Sequence, residues 1–289
     1  MQQQDIEELL EETWALRRAY FPHRIEFVYP IQTLPVSITG SDCALNCAHC
    51  GREYIKRMST LKEAVQGKRG DCKSFLLSGG CDTRGAVPHL LHRQEINELA
   101  RRGRLNIHAG LVGEDETSEL AKLSTVISFD FVVDDETIEE VYGLPVSSAS
   151  YIESYRRLRR LTHVVPHICI GLKGGEIKGE YKALEALKRE GAQAISFIIF
   201  RPTPNTAFAD CTPPPAAEVV RILSTARIMF PRVPIYLGCM RPGGNYRSML
   251  DCLAIRAGVN KLVHPSPAAR NLAQVLGLNI VRKEECCSL

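Results

Sequence analysis

Three cysteines stand close together in Gly40-Ser41-Asp42-Cys43-Ala44-Leu45-Asn46-Cys47-Ala48-His49-Cys50-Gly51, just after a short β-rich run. Their spacing, C-x3-C-x2-C, puts three thiols on one compact loop. Three thiolates can bind three irons of a [4Fe–4S] cube and leave the fourth iron open to another ligand. The small residues between them let backbone amides approach the cluster sulfurs and tune their potential. Zinc is the alternative, with His49 as a fourth ligand, because structural zinc sites are closed by four ligands. A zinc-stabilised barrel that binds a ligand without radical chemistry therefore stays open as the reading from another class.

Eight short β-rich runs supply the framework: 36–39, 74–77, 105–108, 126–132, 164–170, 194–200, 234–237 and 261–263. Their starts lie 21 to 40 residues apart, which leaves room for a helix and two loops between successive strands. Helical spacing fills the gaps at 88–102, 150–161, 179–190, 214–229 and 246–257, and an amphipathic helix over 5–19 precedes the first strand. The run over 164–170 is nearly all apolar, as a parallel strand covered on both faces should be. The fold class is therefore α/β, a (β/α)8 or nearly closed TIM-type barrel, with a doubly wound open sheet as the competitor. The expected organisation is an N-terminal helical extension over 1–35, a barrel over 36–265, and a C-terminal helix and cysteine-containing tail over 266–289. A barrel places its active site at the C-terminal ends of the strands, so residues just after each strand are the site candidates.

Composition narrows the partners. With 36 basic and 33 acidic residues the net charge is +3, too balanced for a dedicated nucleic-acid binder. No apolar run approaches the roughly 20 residues that cross a bilayer. The N-terminus has neither a basic n-region nor an apolar h-region, so a cytoplasmic chain is expected. In that reducing compartment eleven cysteines are better explained by metal binding and core packing than by disulfides.

The C-x3-C-x2-C loop after the first barrel strand resembles that of the radical S-adenosylmethionine (SAM) superfamily. The resemblance implies a [4Fe–4S] cluster on Cys43, Cys47 and Cys50. It also implies SAM chelated at the open iron, and cleavage to a 5′-deoxyadenosyl radical that abstracts hydrogen from a substrate. Further positions match one by one. His49 stands where the superfamily usually carries an aromatic residue against adenine. Ser78-Gly79-Gly80-Cys81-Asp82 ends the second strand, where a Gly-Gly-Glu-like motif binds the SAM amino group. Gly171, in Gly171-Leu172-Lys173-Gly174-Gly175-Glu176, falls in the strand-5 region beside adenine. Arg201 opens a proline-rich loop after the sixth strand, Phe200-Arg201-Pro202-Thr203-Pro204-Asn205-Thr206, like that of biotin-synthase-type members. Asp130, ending the fourth strand, is either a ribose ligand or a surface acid, and His108, ending the third, faces either pocket or core.

Of the other cysteines, Cys72 and Cys252 read as structural. Cys81, Cys169, Cys211 and Cys239 lie at or beyond strand ends and either hold a second cluster or merely line the pocket. Cys286-Cys287 would fold over the barrel mouth or be disordered. Arg241 follows the seventh strand, where a guanidinium could bind a carboxylate or ligate a cluster. The wording around the cysteine loop and around Leu77–Asp82 is similar to a group of biotin-synthase homologues and to two-protein lipoyl synthases. That similarity implies sulfur insertion into a lipoyl-domain-bound octanoyl chain, an auxiliary iron–sulfur cluster as sulfur donor, and a paralogous radical SAM partner. A reductant such as ferredoxin or flavodoxin would be needed. A methyltransferase, a carbon-skeleton rearrangement or a cofactor-maturation role are the alternatives within the superfamily.

Overall fold

The structure, a computed structural model, describes residues 2–68 and 70–289. Among these residues eleven strands form one all-parallel sheet. They are β1 (Arg24–Val28), β2 (Thr33–Ser37), β3 (Ser59–Thr60), β4 (Ser74–Ser78), β5 (Arg104–His108), β6 (Val126–Asp130), β7 (Val164–Ile170), β8 (Ile195–Ile199), β9 (Ile235–Leu237), β10 (Lys261–Val263) and β11 (Asn279–Lys283). The eight expected strands are β2 and β4 to β10, and they neighbour one another in sequence order. The curled sheet, with helices on its outside, is the α/β TIM-type barrel, and the open doubly wound alternative is excluded.

Three strands were not anticipated. β3 adds two residues beside β2, and β1 pairs with β10 at Glu26↔Lys261, Phe27↔Leu262 and Val28↔Val263. β11 then extends the curl beyond β1. Residues on both sides of the 36–265 segment thus belong to the same sheet.

The two faces of the strands differ in character. Outward side chains such as Phe75, Leu77, Leu105, Ile107, Ile127, Phe129, Ile195 and Phe197 are buried beneath the helices in one continuous core. Inward side chains include the buried polar groups Asn106, Ser128 and His167. The N-terminal helix Gln2–Tyr20 packs on the helices Ala216–Met229 and Gly244–Arg256. It buries Leu10, Thr13 and Arg17 at i, i+3 and i+7, and the Arg17 guanidinium donates to the Pro22 and Arg24 carbonyls.

The tail does not fold over the barrel mouth. Its contacts are with strand starts: Arg104 pairs with Glu285, Cys286 N donates to Thr33 Oγ1 at 2.8 Å, and Lys261 Nζ donates to Cys287 O at 2.9 Å. Leu289 packs on Val126, Val165, Ala194 and Tyr236. The chain end therefore closes the N-terminal end of the lumen, opposite the expected active site. Gln32 N also donates to Glu284 O at 2.8 Å, so the tail bridges the gap between β11 and β2.

Arg241 is a clamp rather than a ligand. Its side chain is fully buried and donates to Asp251 Oδ1 at 2.7 Å and to the carbonyls of Gly238 and Val263 at 2.7 Å each. It ties the ends of β9 and β10 to the helix behind them. Breaking a buried ion pair strands its partner's charge and costs about 3–5 kcal/mol. Arg241→Ala is expected to lower stability by about that amount, read as a fall in the urea midpoint of the full chain. A loss under about 1 kcal/mol would show that the pair is not holding the two strands.

Candidate active site

The cysteine loop, residues 40–51, leaves β2 and is pinned by three neighbours. Ala44 N donates to Cys81 O at 2.8 Å, Ala48 N donates to Val141 O at 2.7 Å, and Phe208 N donates to Ala48 O at 3.0 Å. These partners follow β4, β6 and β8, so several strand ends hold one loop. Val141 belongs to a π-helical turn, Ile138–Tyr142, the kind of irregularity that often marks a functional site.

The Gly79-Gly80 step is the tightest contact. Gly80 N donates to Thr39 Oγ1 at 2.7 Å. A Cβ on Gly80 would lie 1.9 Å from Asp42 O and 2.5 Å from Cys43 Cα, which no side chain tolerates. On Gly79 a Cβ would meet Thr39 Oγ1 at 3.0 Å. Cys81 N, in turn, donates to Cys43 Sγ at 3.3 Å, the amide-to-sulfur bond that favours a thiolate.

Burial pushes the Cys47 thiol up to about 12, with Cys50 and Cys43 adding to the shift, and burial raises Cys50 as well. Without a positive centre these thiols stay protonated; a bound metal would draw off the protons. Among the described residues no three His, Cys, Asp or Glu side chains converge as ligands of a single ion. A cube does not require that, because it offers separate irons to separate thiolates, whereas zinc does.

His49 fits an aromatic role. Its ring centroid lies 5.7 Å from that of Tyr142 and 6.3 Å from that of Tyr54. Burial holds it down at about 4, so it is neutral at pH 7, and its Nδ1 is buried with no partner. Arg201 Nε is likewise buried and unpartnered. Tyr54 OH and Thr203 Oγ1 lie 2.7 Å apart, which brings the loop after β8 against the cysteine loop. Two orphaned polar atoms beside a thiol-rich loop fit a cluster with a polar ligand such as SAM. Tyr54 and Tyr142 are not marked by anything in their local spacing, and Thr203 stands out in the sequence only as a member of the proline-rich loop.

Asp130, His108 and His167 share the lumen wall. Asp130 is exposed, yet desolvation raises its carboxyl, with His167 acting the other way. A group both accessible and surrounded by protein stands in a concave cavity. The His108 and His167 rings lie 5.6 Å apart, and burial pushes each down to about 4. Gly171 is different: it has φ +74°, it donates from its N to Glu180 Oε1 at 2.7 Å, and its α-carbon faces Pro214.

The four cysteines considered for a second cluster do not gather. Cys81 lies by Cys43, Cys169 belongs to β7, and Cys211 sits against Gly174. Cys239 follows β9, and burial raises its thiol.

No family model matches the chain. It is 25% identical over 251 residues to a biotin synthase of Halorhodospira halophila, spanning 78% of this chain and 73% of that protein. A biotin synthase of Maricaulis maris is 27% identical over 132 residues, spanning 44% and 39%. Among solved structures, methylornithine synthase superposes with a TM-score of 0.70 at 15% identity, covering 98% of this chain and 91% of that one. The FeFe-hydrogenase maturase HydG of Carboxydothermus hydrogenoformans gives 0.68 at 17% identity, covering 89% and 63%. Fold, cysteine loop and similarity to biotin synthases together support the radical SAM superfamily. Similarity to biotin synthases and the C-x3-C-x2-C loop support a [4Fe–4S] cluster and SAM as the groups this loop would serve.

Two measurements check this geometry. Gly80→Ala is expected to displace the cysteine loop, since backbone rather than a flexible side chain blocks the Cβ. Iron uptake on anaerobic reconstitution should fall several-fold; unchanged uptake would mean that the loop does not depend on this approach. The second concerns pH. His89 is buried, donates from Nε2 to His108 O at 2.8 Å, and is held at about 4 against an ordinary 6.5. Between those values the unfolded chain binds the extra proton, so stability is full above pH 6.5 and declines as pH falls toward 4. Urea midpoints of the apoprotein should drop across that window, and His89→Gln should make the drop shallower. An equal slope in both proteins would remove His89 as a source.

Proposed function

We propose that the chain inserts sulfur at an unactivated carbon, with a lipoyl-domain-bound octanoyl chain as the substrate. The observation that carries the proposal is the pair of thiols on the barrel strands beyond the cysteine loop: Cys169 on β7, and Cys239 just after β9. Biotin synthase, to which the chain is similar, is also a sulfur-inserting enzyme. When bound, the cluster and SAM supply a primary carbon radical strong enough to take hydrogen from an alkyl chain.

The protein's part is positioning. Cys43, Cys47 and Cys50 would hold the cluster. His49, Gly79, Gly80 and Arg201 would meet SAM, and Asp130, at the end of β6, would bond a hydroxyl-bearing part of the ligand. A cavity of about 290 Å³ bordered by Asp42, Cys43, Arg52 and Cys81 opens the cysteine loop to solvent. It gives a ferredoxin- or flavodoxin-like donor a short path to the thiols. A paralogous radical SAM partner would supply the other sulfur of the product.

One observation favours a second reading. Asn106, His108, Ser128, Asp130 and His167 make the lumen wall polar, which suits a small polar substrate and carbon-skeleton chemistry. One experiment separates the two. Reconstituted protein, SAM and a reductant are incubated with an octanoylated lipoyl-domain peptide, alone and with a candidate paralogue. Formation of 5′-deoxyadenosine with a sulfur gained by the peptide is the expected result. Deoxyadenosine without sulfur under any pairing overturns the lipoyl proposal and leaves the polar-substrate reading.

A further inference from the structure

At the starts of β1, β9 and β10, away from the cysteine loop, a cavity of about 220 Å³ is bordered by Phe21, Arg24, Glu26, Tyr236, Asn260 and Lys261. Its lining is rich in hydrogen-bond donors. Asn260 Oδ1 accepts from Arg227 Nη2 at 2.7 Å and from Ile235 N at 2.9 Å, which fixes the amide and leaves Nδ2, a donor, without a partner. The Arg24 side chain is exposed, and its guanidinium makes no hydrogen bond or ion pair among the described residues. Burial pushes the Tyr236 hydroxyl up to about 12, so it keeps its proton. Lys261 Nζ stands 4.5 Å over the Tyr236 ring and donates to Cys287 O at 2.9 Å. Glu26 is the one carboxylate on the lining, and it already lies 3.5 Å from Lys261 Nζ.

Behind this lining stand two cations with no acid to answer them. Arg17 and Arg227 are both fully buried. They flank Gly258, where a Cβ would lie 3.2 Å from Arg17 Cβ and 3.1 Å from Arg227 Nε. Arg17 donates to the Pro22 and Arg24 carbonyls, and its Nε is buried with no partner. Arg227 donates to Gly258 O at 2.8 Å and to the carbonyls of Phe230 and Val233 at 3.0 Å each, besides Asn260. Their remaining neighbours are aromatic, Trp14 at 5.3 Å from Arg17 and Phe21 at 4.6 Å from Arg227. Neither guanidinium meets a carboxylate among the described residues. Burial holds Arg17 down to about 10, and burial followed by Arg17 holds Arg227 down to about 9, so both stay charged at pH 7. Buried charges are ordinarily paired. Pro22, Arg24 and Asn260, the residues these two cations hold, all line the cavity, so the unanswered charge lies directly behind its wall.

We propose that this cavity is a second ligand site, one that binds a small oxyanion, a phosphate or carboxylate group. Arg24, Lys261 and the Asn260 amide supply the contacts, and Arg17 and Arg227 supply the field behind them. Sites for drug-sized ligands run to about 300–1,000 Å³, so a smaller cavity suits a free oxyanion, a short organic acid or a small phosphate ester. An anion here also bears on the tail, because the ammonium it would meet is the one that holds Cys287 O. The proposal goes beyond the sulfur-insertion reading and stands whatever the substrate.

Binding to the full chain tests it. Thermal midpoints are recorded against inorganic phosphate, against succinate, and against potassium chloride at matched ionic strength; affinities for the first two are then measured by calorimetry. A saturable rise with phosphate or succinate, beyond that with chloride, is the expected result, because a ligand that binds only the folded chain stabilises it by mass action. The tighter of the two identifies the anionic group, and either upholds the site. Arg24→Gln should weaken binding about tenfold, the worth of one charge-assisted hydrogen bond, and Arg24→Glu should abolish it. Both substitutions keep the Arg24 carbonyl that Arg17 uses, and each variant's midpoint without anion checks that it folds. Arg101→Gln, which changes an exposed arginine on the helix Arg93–Arg102 between β4 and β5, should bind as the wild type does. Midpoint shifts no larger than chloride's with both anions would overturn the proposal. So would an affinity unchanged in Arg24→Glu, or one lost equally in Arg101→Gln.

Discussion

Everything at the barrel mouth depends on one close approach, the passage of the Gly80 backbone against Asp42 and Cys43. No Cβ fits there, since it would lie 1.9 Å from a carbonyl oxygen. That contact sets the height of the end of β4 against the cysteine loop. Given that height, Cys81 N reaches Cys43 Sγ and Cys81 O receives Ala44 N. A glycine here is therefore a steric requirement of the loop as well as a means of leaving ligand space. The remaining anchors, from Val141 and Phe208, act on a loop whose position this contact has already fixed.

The second organising feature is the contrast between the sheet's two faces. The outward face supplies the fold's hydrophobic driving force through its contact with the helices. The inward face, freed from that task, carries asparagine, serine, histidine, aspartate and cysteine. Buried polar groups are tolerable only when bonded, and several are: Ser128 to Asn106, and His167 Nδ1 to Val165 O at 3.0 Å. Among the buried polar atoms without a partner, His49 Nδ1 and Arg201 Nε stand by the cysteine loop, where an arriving ligand can supply the missing partner.

How much of this the sequence discloses depends on the range of the interactions involved. The eight strands were legible because each is a short apolar run between helices, and the cysteine loop because its chemistry is local in sequence. β1 and β11 were not. Their residues, RIEFV and NIVRK, mix charge with apolar groups, and they become strands only because β10 and then β1 offer an edge. Arg241 stood where a site residue would stand, but Asp251, ten positions later, turns it into the core. Tyr54 and Tyr142 meet His49 through the pinning of one loop by elements far along the chain, which no spacing rule encodes.

The tail shows the same limit most fully and explains why the floor matters to the mouth. A parallel barrel can be left open at its N-terminal end if side chains fill the lumen in layers. Here the inward layer of β5, β6 and β7 is too small and polar to do so, with Asn106, Ser128 and Val165 at successive strands. Leu289 supplies the missing volume against Val126, Val165, Ala194 and Tyr236. The last residues of the chain thus do the work that a layer of bulky strand residues does elsewhere, and they bring Cys286 and Cys287 in with them. Filling with a tail rather than with strand side chains lets the floor carry reactive groups without disturbing strand packing. The segments flanking 36–265 are drawn onto the barrel by this arrangement, β1 by pairing with β10 and the tail by closing on β2 at the end of the lumen away from the cysteine loop.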